Sequence, residues 1–262
     1  NNNNNNNNDN NNNNKDWPKD WLSSFWNVKS TSFTPDYICT KPDTVTYKRD
    51  FLSTKQCHEL RDWLLSLPSS SSSSSSNDST TKQRAEEEEE EAESASWNTM
   101  TFAKRRVLLF DGVSSSPLPL ALQQLSQLLV KLHIFPSSSH PAPNHVLVNE
   151  YTDNQGILPH TDGPLYYPKT ATLSIGNSVL LNFKKRLTTS EIGQVENPVE
   201  RQVLLESGSL VVFEKEAYTN YCHGIDDAVL VEYASHLCMN AEPETRVTRG
   251  HRISLTFRHK YS

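Results

Sequence analysis

The sequence predicts an α+β fold: a double-stranded β-helix, or jelly roll, with supporting N-terminal helices. Three observations point there. Helical periodicity is confined to the first half, in Ser53–Leu67 and Pro117–Leu132. Short strand-like runs crowd the second half, from His145 to Arg258. The residues able to carry chemistry sit at the ends of those runs rather than in the helical stretches. Helices first and many short strands after is an α+β order, and a jelly roll is the compact way to close so many short strands.

The chain has 262 residues, 35% of them hydrophobic, with a net charge of −6. That length suits one catalytic domain with appendages. The apolar content is low because of homopolymer tracts, and the remainder is long enough to bury a core. Seven glutamates, Glu86 to Glu91 and Glu93, lie in one run, and without them the balance is about +1. The acidic surplus therefore belongs to a solvated tract and not to the folded part.

Residues 1–44 read as an Asn-rich low-complexity tail and an N-terminal extension. Within it Trp17, Trp21, Phe25 and Trp26 form either a partner-docking motif or an element packed on the domain edge. A catalytic domain is expected over 45–262, interrupted by a disordered Ser/Glu-rich insertion at 68–96. Thr44 to Tyr47 reads as a strand. Ser53 with Gln56 is a capping-box pair, and Cys57, Leu60, Trp63, Leu64 and Leu67 follow at helical spacing until Pro68. Folding resumes at Trp97. Lys104-Arg105-Arg106 is either a solvated face or a phosphate-contacting hairpin. In the second helix Leu118, Leu122, Leu125, Leu129 and Leu132 share a face, and Pro117 suits its start.

Strands are expected at 145–151, 171–175, 179–183, 202–206, 209–214, 218–223 and 252–258, with Gly176-Asn177 as a hairpin turn. Residues 184–200 read as a loop. So do 225–250, with room for a helix at 228–239. Cys39, Cys57, Cys222 and Cys238 form no CxxC pair, so they are expected as reduced thiols of an intracellular protein, in cytoplasm and nucleus. No run of about 18 apolar residues exists, so no membrane association is expected.

The chemistry centres on His145–Phe183. His160 and Asp162 are two apart, so on extended chain an imidazole and a carboxylate reach the same side. Roughly half such an HxD is expected by chance in this composition, so context decides its meaning. A third ligand would complete a two-His, one-carboxylate facial triad for Fe(II). His223 is favoured because it ends a strand before Gly224; His236 and His251 are rivals. In Arg252–Arg258, alternation places Arg252, Ser254, Thr256 and Arg258 on one face. Two inward arginines would need a dicarboxylate partner, whereas an edge strand would leave them in water. Asn149 and Tyr151 share a strand face and can donate to the same ligand, or simply cap a turn. Tyr166 and Tyr167 could stack on a base or fill a core.

The order N-x-Y, H-x-D, a distant H and R-x₅-R resembles the AlkB family of Fe(II)/2-oxoglutarate dioxygenases. The runs LVNEY, GILPHTDGPLYYP, TLSIG, VLLNF, AYTNYCHGI and RGHRISLTFR more closely resemble its eukaryotic AlkB homologue six subgroup. The resemblance covers roughly Pro42 to Arg258. It implies iron on His160, Asp162 and His223. It implies 2-oxoglutarate on Asn149, Tyr151, Arg252 and Arg258, with Arg252 at the distal carboxylate and Ser254 where bacterial members have Asn. Residues 225–250 are longer than in those bacterial members. Fe(II), 2-oxoglutarate and O₂ would then support oxidative demethylation of an alkylated DNA or RNA. Hydroxylation or demethylation of protein is the alternative, and a non-catalytic β-helix binding module is a third. A monomer is expected, with Lys104–Arg106 where the family builds its nucleotide-recognition lid.

Overall fold

The computed structural model describes residues 17, 21–22, 33–40, 42–69, 96–99, 105–113, 117–135, 142–152, 154–193, 195–227 and 229–261. The Asn tract and most of the Ser/Glu insertion lie outside these residues, as do Phe25, Trp26, Lys104 and 228.

Fourteen strands and three helices are described. In chain order they are β1 (Tyr37–Thr40), β2 (Asp43–Lys48), α1 (Thr54–Ser66), β3 (Asn98–Thr99), β4 (Arg106–Asp111), α2 (Leu120–Lys131), β5 (His145–Tyr151), β6 (Ile157–His160), β7 (Lys169–Gly176), β8 (Val179–Lys185), β9 (Val199–Leu205), β10 (Leu210–Glu214), α3 (Lys215–Thr219), β11 (Tyr221–Ile225), β12 (Val231–Tyr233), β13 (Arg246–Thr248) and β14 (Arg252–Arg258). A large sheet runs β1-β2-β10-β7-β14-β5-β4-β3, and a small one β6-β11-β8-β9. From β5 onward the chain alternates between the two: β5 large, β6 small, β7 large, β8 and β9 small, β10 large, β11 small, β14 large. That is the expected double-stranded β-helix.

The large sheet separates two cores. One face carries Val146, Val148, Leu173, Ile253, Leu255 and Phe257, which pack with Leu60 and Leu64 of α1 and Leu122, Leu125 and Leu129 of α2. The leucine stripes found in the sequence are thus the helix faces that cover the sheet. The other face meets the small sheet, where Val45, Val211 and Phe213 pack with Leu181, Phe183 and Val203. Between those apolar flanks runs a polar strip, described below.

Local signals set the helix starts. Ser53 Oγ accepts from the Gln56 amide at 3.3 Å, and Gln56 Oε1 accepts from the Ser53 amide at 2.9 Å, a complete capping box. The second helix starts at Leu120 with Pro119 as its N-cap, two residues beyond the expected proline. Trp97 is buried; its indole donates to the Leu64 carbonyl at 2.8 Å and its amide to that of Pro68 at 2.8 Å. Ser69 and Trp97 are bridge partners, so these two described residues lie side by side. Trp17 and Trp21 are buried in the helix-side core, with Trp17 donating to Gln124. The residues of β1 pair with β2 at the edge of the large sheet.

Four readings are corrected. Residues 218–223 are not one strand: α3 runs to Thr219, and β11 starts at Tyr221. The stretch from Tyr151 to His160 holds a strand, β6, that Pro159 disguised; β6 is a sheet edge, where a missing amide is tolerated. Residues 229–239 carry β12 and no helix among the described residues. Strands β8 and β9 extend into the expected 184–200 loop. Among the described residues no helix is long and apolar enough to cross a membrane.

Candidate metal and cosubstrate site

His160 closes β6 and His223 lies directly opposite it on β11, with ring centroids 4.5 Å apart. Asp162 follows two residues after His160. Ligand atoms of all three residues lie within 4.8 Å of one another. Two imidazoles and one carboxylate meeting at a point make a donor set suited to a divalent transition metal with open positions. The rivals fall elsewhere: His236 is exposed in a loop, and His251 binds Glu150 at 2.8 Å.

Each ligand is held by a second group. The Nδ1 of His160 lies 2.8 Å from the Leu158 carbonyl, so Nδ1–H donates and Nε2 is left as the ligand atom. Asp162 Oδ2 accepts from Thr170 Oγ1 at 2.6 Å, and Oδ1 accepts from Arg258 Nη1 at 2.9 Å. Burial alone would raise the Asp162 carboxyl. The His223 ring when it carries a proton, the Arg258 guanidinium, the Thr170 hydrogen bond and the facing His160 ring outweigh it and hold the group below the usual carboxylate range. The ring of His223 packs against Phe213 and Phe183 at centroid distances of 4.7 and 6.3 Å. Desolvation pushes this imidazole down to about 4, only partly offset by Asp162, so it is neutral near pH 7.

The polar strip is set by strand register. Arg252 pairs with Tyr151 on β5 and Gly176 on β7; Ser254 pairs with Asn149 and Ser174; Thr256 pairs with Leu147 and Thr172. Antiparallel partners point to the same side, so these residues share one face with Arg258 and His145. Arg252, Ser254, Arg258 and Asn149 are all buried. The edge-strand reading of Arg252–Arg258 is therefore excluded: β14 is central, between β5 and β7.

Buried polar atoms lack partners along this strip. Arg252 Nη2 donates to Ser174 Oγ at 3.0 Å and its guanidinium sits 5.2 Å from the Tyr151 ring centroid. Its Nε and Nη1 have no partner, nor does Nε of Arg258. A desolvated cation with empty donors is costly unless an anion completes it. Burial pushes the Arg252 guanidinium below its ordinary value. The side chains present thus fit a metal at the triad and an acidic ligand at the arginines.

The basic triplet is largely committed. Arg105 Nε donates to Asn149 Oδ1 at 3.0 Å, while Arg106 pairs with Glu150 and lies over Trp97 at 5.0 Å. Tyr166 also faces inward: the Arg258 guanidinium stacks on it at 4.3 Å and its hydroxyl meets His145 Nε2 at 3.3 Å. It is not a free stacking platform. Tyr167 is half-buried, its amide bonded to the His259 carbonyl.

Three participants escape the sequence reading: Thr170, Ser174 and Arg249. The first two had a signal, because Thr170–Ile175 alternates polar and apolar residues as strictly as Arg252–Arg258 does. Arg249, just before the arginine strand, had none.

A family model described as the 2OG-Fe(II) oxygenase superfamily matches residues 44–258. A "Probable RNA/DNA demethylase ALKBH6" of Danio rerio is 36% identical over 123 residues, 44% of this chain and 53% of that protein. "Uncharacterized protein L905" of Acanthamoeba polyphaga mimivirus is 25% identical over 151 residues, 57% of this chain and 64% of that protein. The matches thus span less than two thirds of either relative. Among solved structures, OsALKBH1 aligns at 13% identity and TM-score 0.45 over 82% of this chain and 97% of that one.

Proposed function

The chain belongs to the 2OG-Fe(II) oxygenase superfamily, with AlkB-type sequence likeness, and on that premise we propose that it oxidatively demethylates an alkylated nucleic acid. Members of the superfamily use Fe(II), 2-oxoglutarate and O₂. The observation that carries the oxygenase reading is the meeting of His160, Asp162 and His223 beside two incompletely satisfied buried arginines. The nucleic-acid reading is supported by the printed name of the Danio rerio relative.

His160 Nε2, His223 and an Asp162 oxygen would hold the metal from one side, leaving the other side for ligands. Thr170 and Arg258 fix the carboxylate so that it cannot rotate away. Arg252 would take the distal carboxylate of the cosubstrate, with Ser254, Asn149 and Tyr151 on neighbouring positions of the same face. Arg105 holds Asn149 Oδ1, which turns the amide NH₂ donors toward the strip. Phe183 and Phe213 keep water from the inner flank of His223. When bound, the iron, cosubstrate and O₂ supply hydroxylation of a substrate C–H bond, with 2-oxoglutarate leaving as succinate and CO₂ and an N-methyl group as formaldehyde. A target base would have to leave its stack to reach such an inward site. Leu158 and Leu165, 82% and 64% exposed on either side of the His160–Asp162 segment, would give it an apolar surface to rest on.

The test is mass spectrometry of methylated DNA and RNA oligonucleotides, and of methylated peptides, after incubation with Fe(II) and 2-oxoglutarate. Loss of 14 mass units per site from an oligonucleotide, absent with Asp162→Ala, is expected. Turnover of peptides alone would overturn the nucleic-acid reading and leave the oxygenase reading standing.

A further inference from the structure

Arg249 and Arg252 line one small cavity between the sheets, walled also by Tyr151, Gln155, Val179 and Ile225. Both side chains are buried, at 8% and 4% exposure. Arg249 donates through Nη1 to the Asp226 carbonyl and through Nη2 to the Gln155 carbonyl, which are neutral acceptors. Arg252 meets Ser174 and Tyr151, both uncharged, and its Nε and Nη1 are unpartnered. Among the described residues neither guanidinium has a carboxylate at ion-pair distance. Two desolvated cations facing one space repel each other, and an entering anion relieves both.

The two carbonyls held by Arg249 also matter. Gln155 precedes β6, which carries His160, and Asp226 follows β11, which carries His223. One side chain therefore ties the far ends of both metal-bearing strands to the segment leading into Arg252.

We propose that Arg249 is the second cationic wall of the cosubstrate pocket, and that the Arg249–Arg252 pair selects a dicarboxylate over a 2-oxo acid with one carboxylate. The proposal rests on the reading of this site as a 2-oxoglutarate pocket. Arg252 grips the distal carboxylate directly. Arg249 supplies a charge that a monocarboxylate cannot use, while its hydrogen bonds to Gln155 and Asp226 keep it in place.

The test is calorimetric titration of the full chain loaded with Mn(II), which binds the cosubstrate without turnover. The ligands are 2-oxoglutarate and 2-oxopentanoate, which lacks the distal carboxylate. In Arg249→Gln the affinity for 2-oxoglutarate is expected to fall about tenfold, while that for 2-oxopentanoate stays within about threefold. Arg249→Lys keeps the charge and is expected to retain most of the discrimination. Unchanged discrimination in Arg249→Gln overturns the proposal. So does an equal loss for both ligands, which would leave Arg249 a structural tie only. Should Arg249→Gln not melt cooperatively, Arg249→Lys decides, and loss of its discrimination overturns the proposal. If the unmodified protein binds neither ligand, the pocket reading itself fails and this proposal with it.

Discussion

Thr170 Oγ1 donates to Asp162 Oδ2 across 2.6 Å, from the first residues of β7 to the loop after β6. Thr170 is fully buried and the Asp162 side chain nearly so. The carboxylate is thereby held between a hydroxyl on one oxygen and the Arg258 guanidinium on the other. Thr170→Val keeps the shape and removes the donor. It is expected to weaken Mn(II) or Fe(II) binding about 10- to 100-fold with little change in melting temperature. Equilibrium dialysis of metal against both proteins reads this directly.

The same site predicts an acid sensitivity that has nothing to do with metal. His145 is buried, with Nδ1 unpartnered and Arg258 nearby. Burial first, then the Arg258 charge, push its imidazole down to about 4 from an ordinary 6.5. Between those values the unfolded chain binds a proton that the folded one does not. The stability linked to His145 is therefore complete above about pH 6.5 and lost as pH falls toward 4. The loss is on the order of 2 to 3 kcal/mol. Urea melts at pH 7 and pH 5 are expected to show a smaller drop in His145→Gln than in the unmodified protein. Equal drops would remove His145 as a cause; His223, shifted the same way, keeps some sensitivity in the variant.

Gly156 sits where β6 begins to run beside β11. A Cβ there would lie 2.3 Å from the Ile225 carbonyl oxygen and 2.7 Å from that of Asp226. Backbone cannot yield cheaply, so Gly156→Ala should displace β6 and with it His160. The expected cost is more than about 2 kcal/mol in chemical denaturation, with metal affinity lost as well.

Trp97 links α1 to the returning chain. It is buried, donates to the Leu64 carbonyl and carries the Arg106 guanidinium on its ring. Trp97→Ala is expected to cost about 3 to 5 kcal/mol. Arg106 would also lose its stacking face, so its pairing with Glu150 should loosen. A near-neutral denaturation midpoint would show that the re-entry point contributes little.

Much of the arrangement was legible because it follows period-2 and period-3.6 patterns. The leucine faces of α1 and α2, the Ser53–Gln56 cap and the alternating β14 are local properties of the chain; the cap and β14 stand where the sequence placed them, while α2 starts at Leu120, after Pro117 and Leu118. His160, Asp162 and His223 could be singled out by spacing, and the structure brings them together. What spacing could not supply was partnership. Whether Arg106 faces phosphate or Glu150 depends on β4 lying beside β5, a tertiary fact. The sequence leaves Tyr166 open between a stacking face and a core aromatic, and only its contacts with Arg258 and His145 decide between them. Pro159 hid β6, because proline argues against a strand unless that strand is an edge. Arg249 had no pattern at all; its role depends on three segments distant in sequence.

We propose that His160, Asp162 and His223 hold the metal of a 2-oxoglutarate oxygenase and that the cosubstrate sits on Arg252 and Arg258. Succinate formation from 2-oxoglutarate, with Fe(II) in air and no other substrate, tests it most directly. Slow succinate release by the unmodified protein is expected, at least about tenfold lower in Asp162→Ala and in Arg252→Met. Equal succinate from all three proteins, or none from the unmodified protein loaded with Fe(II), would contradict it.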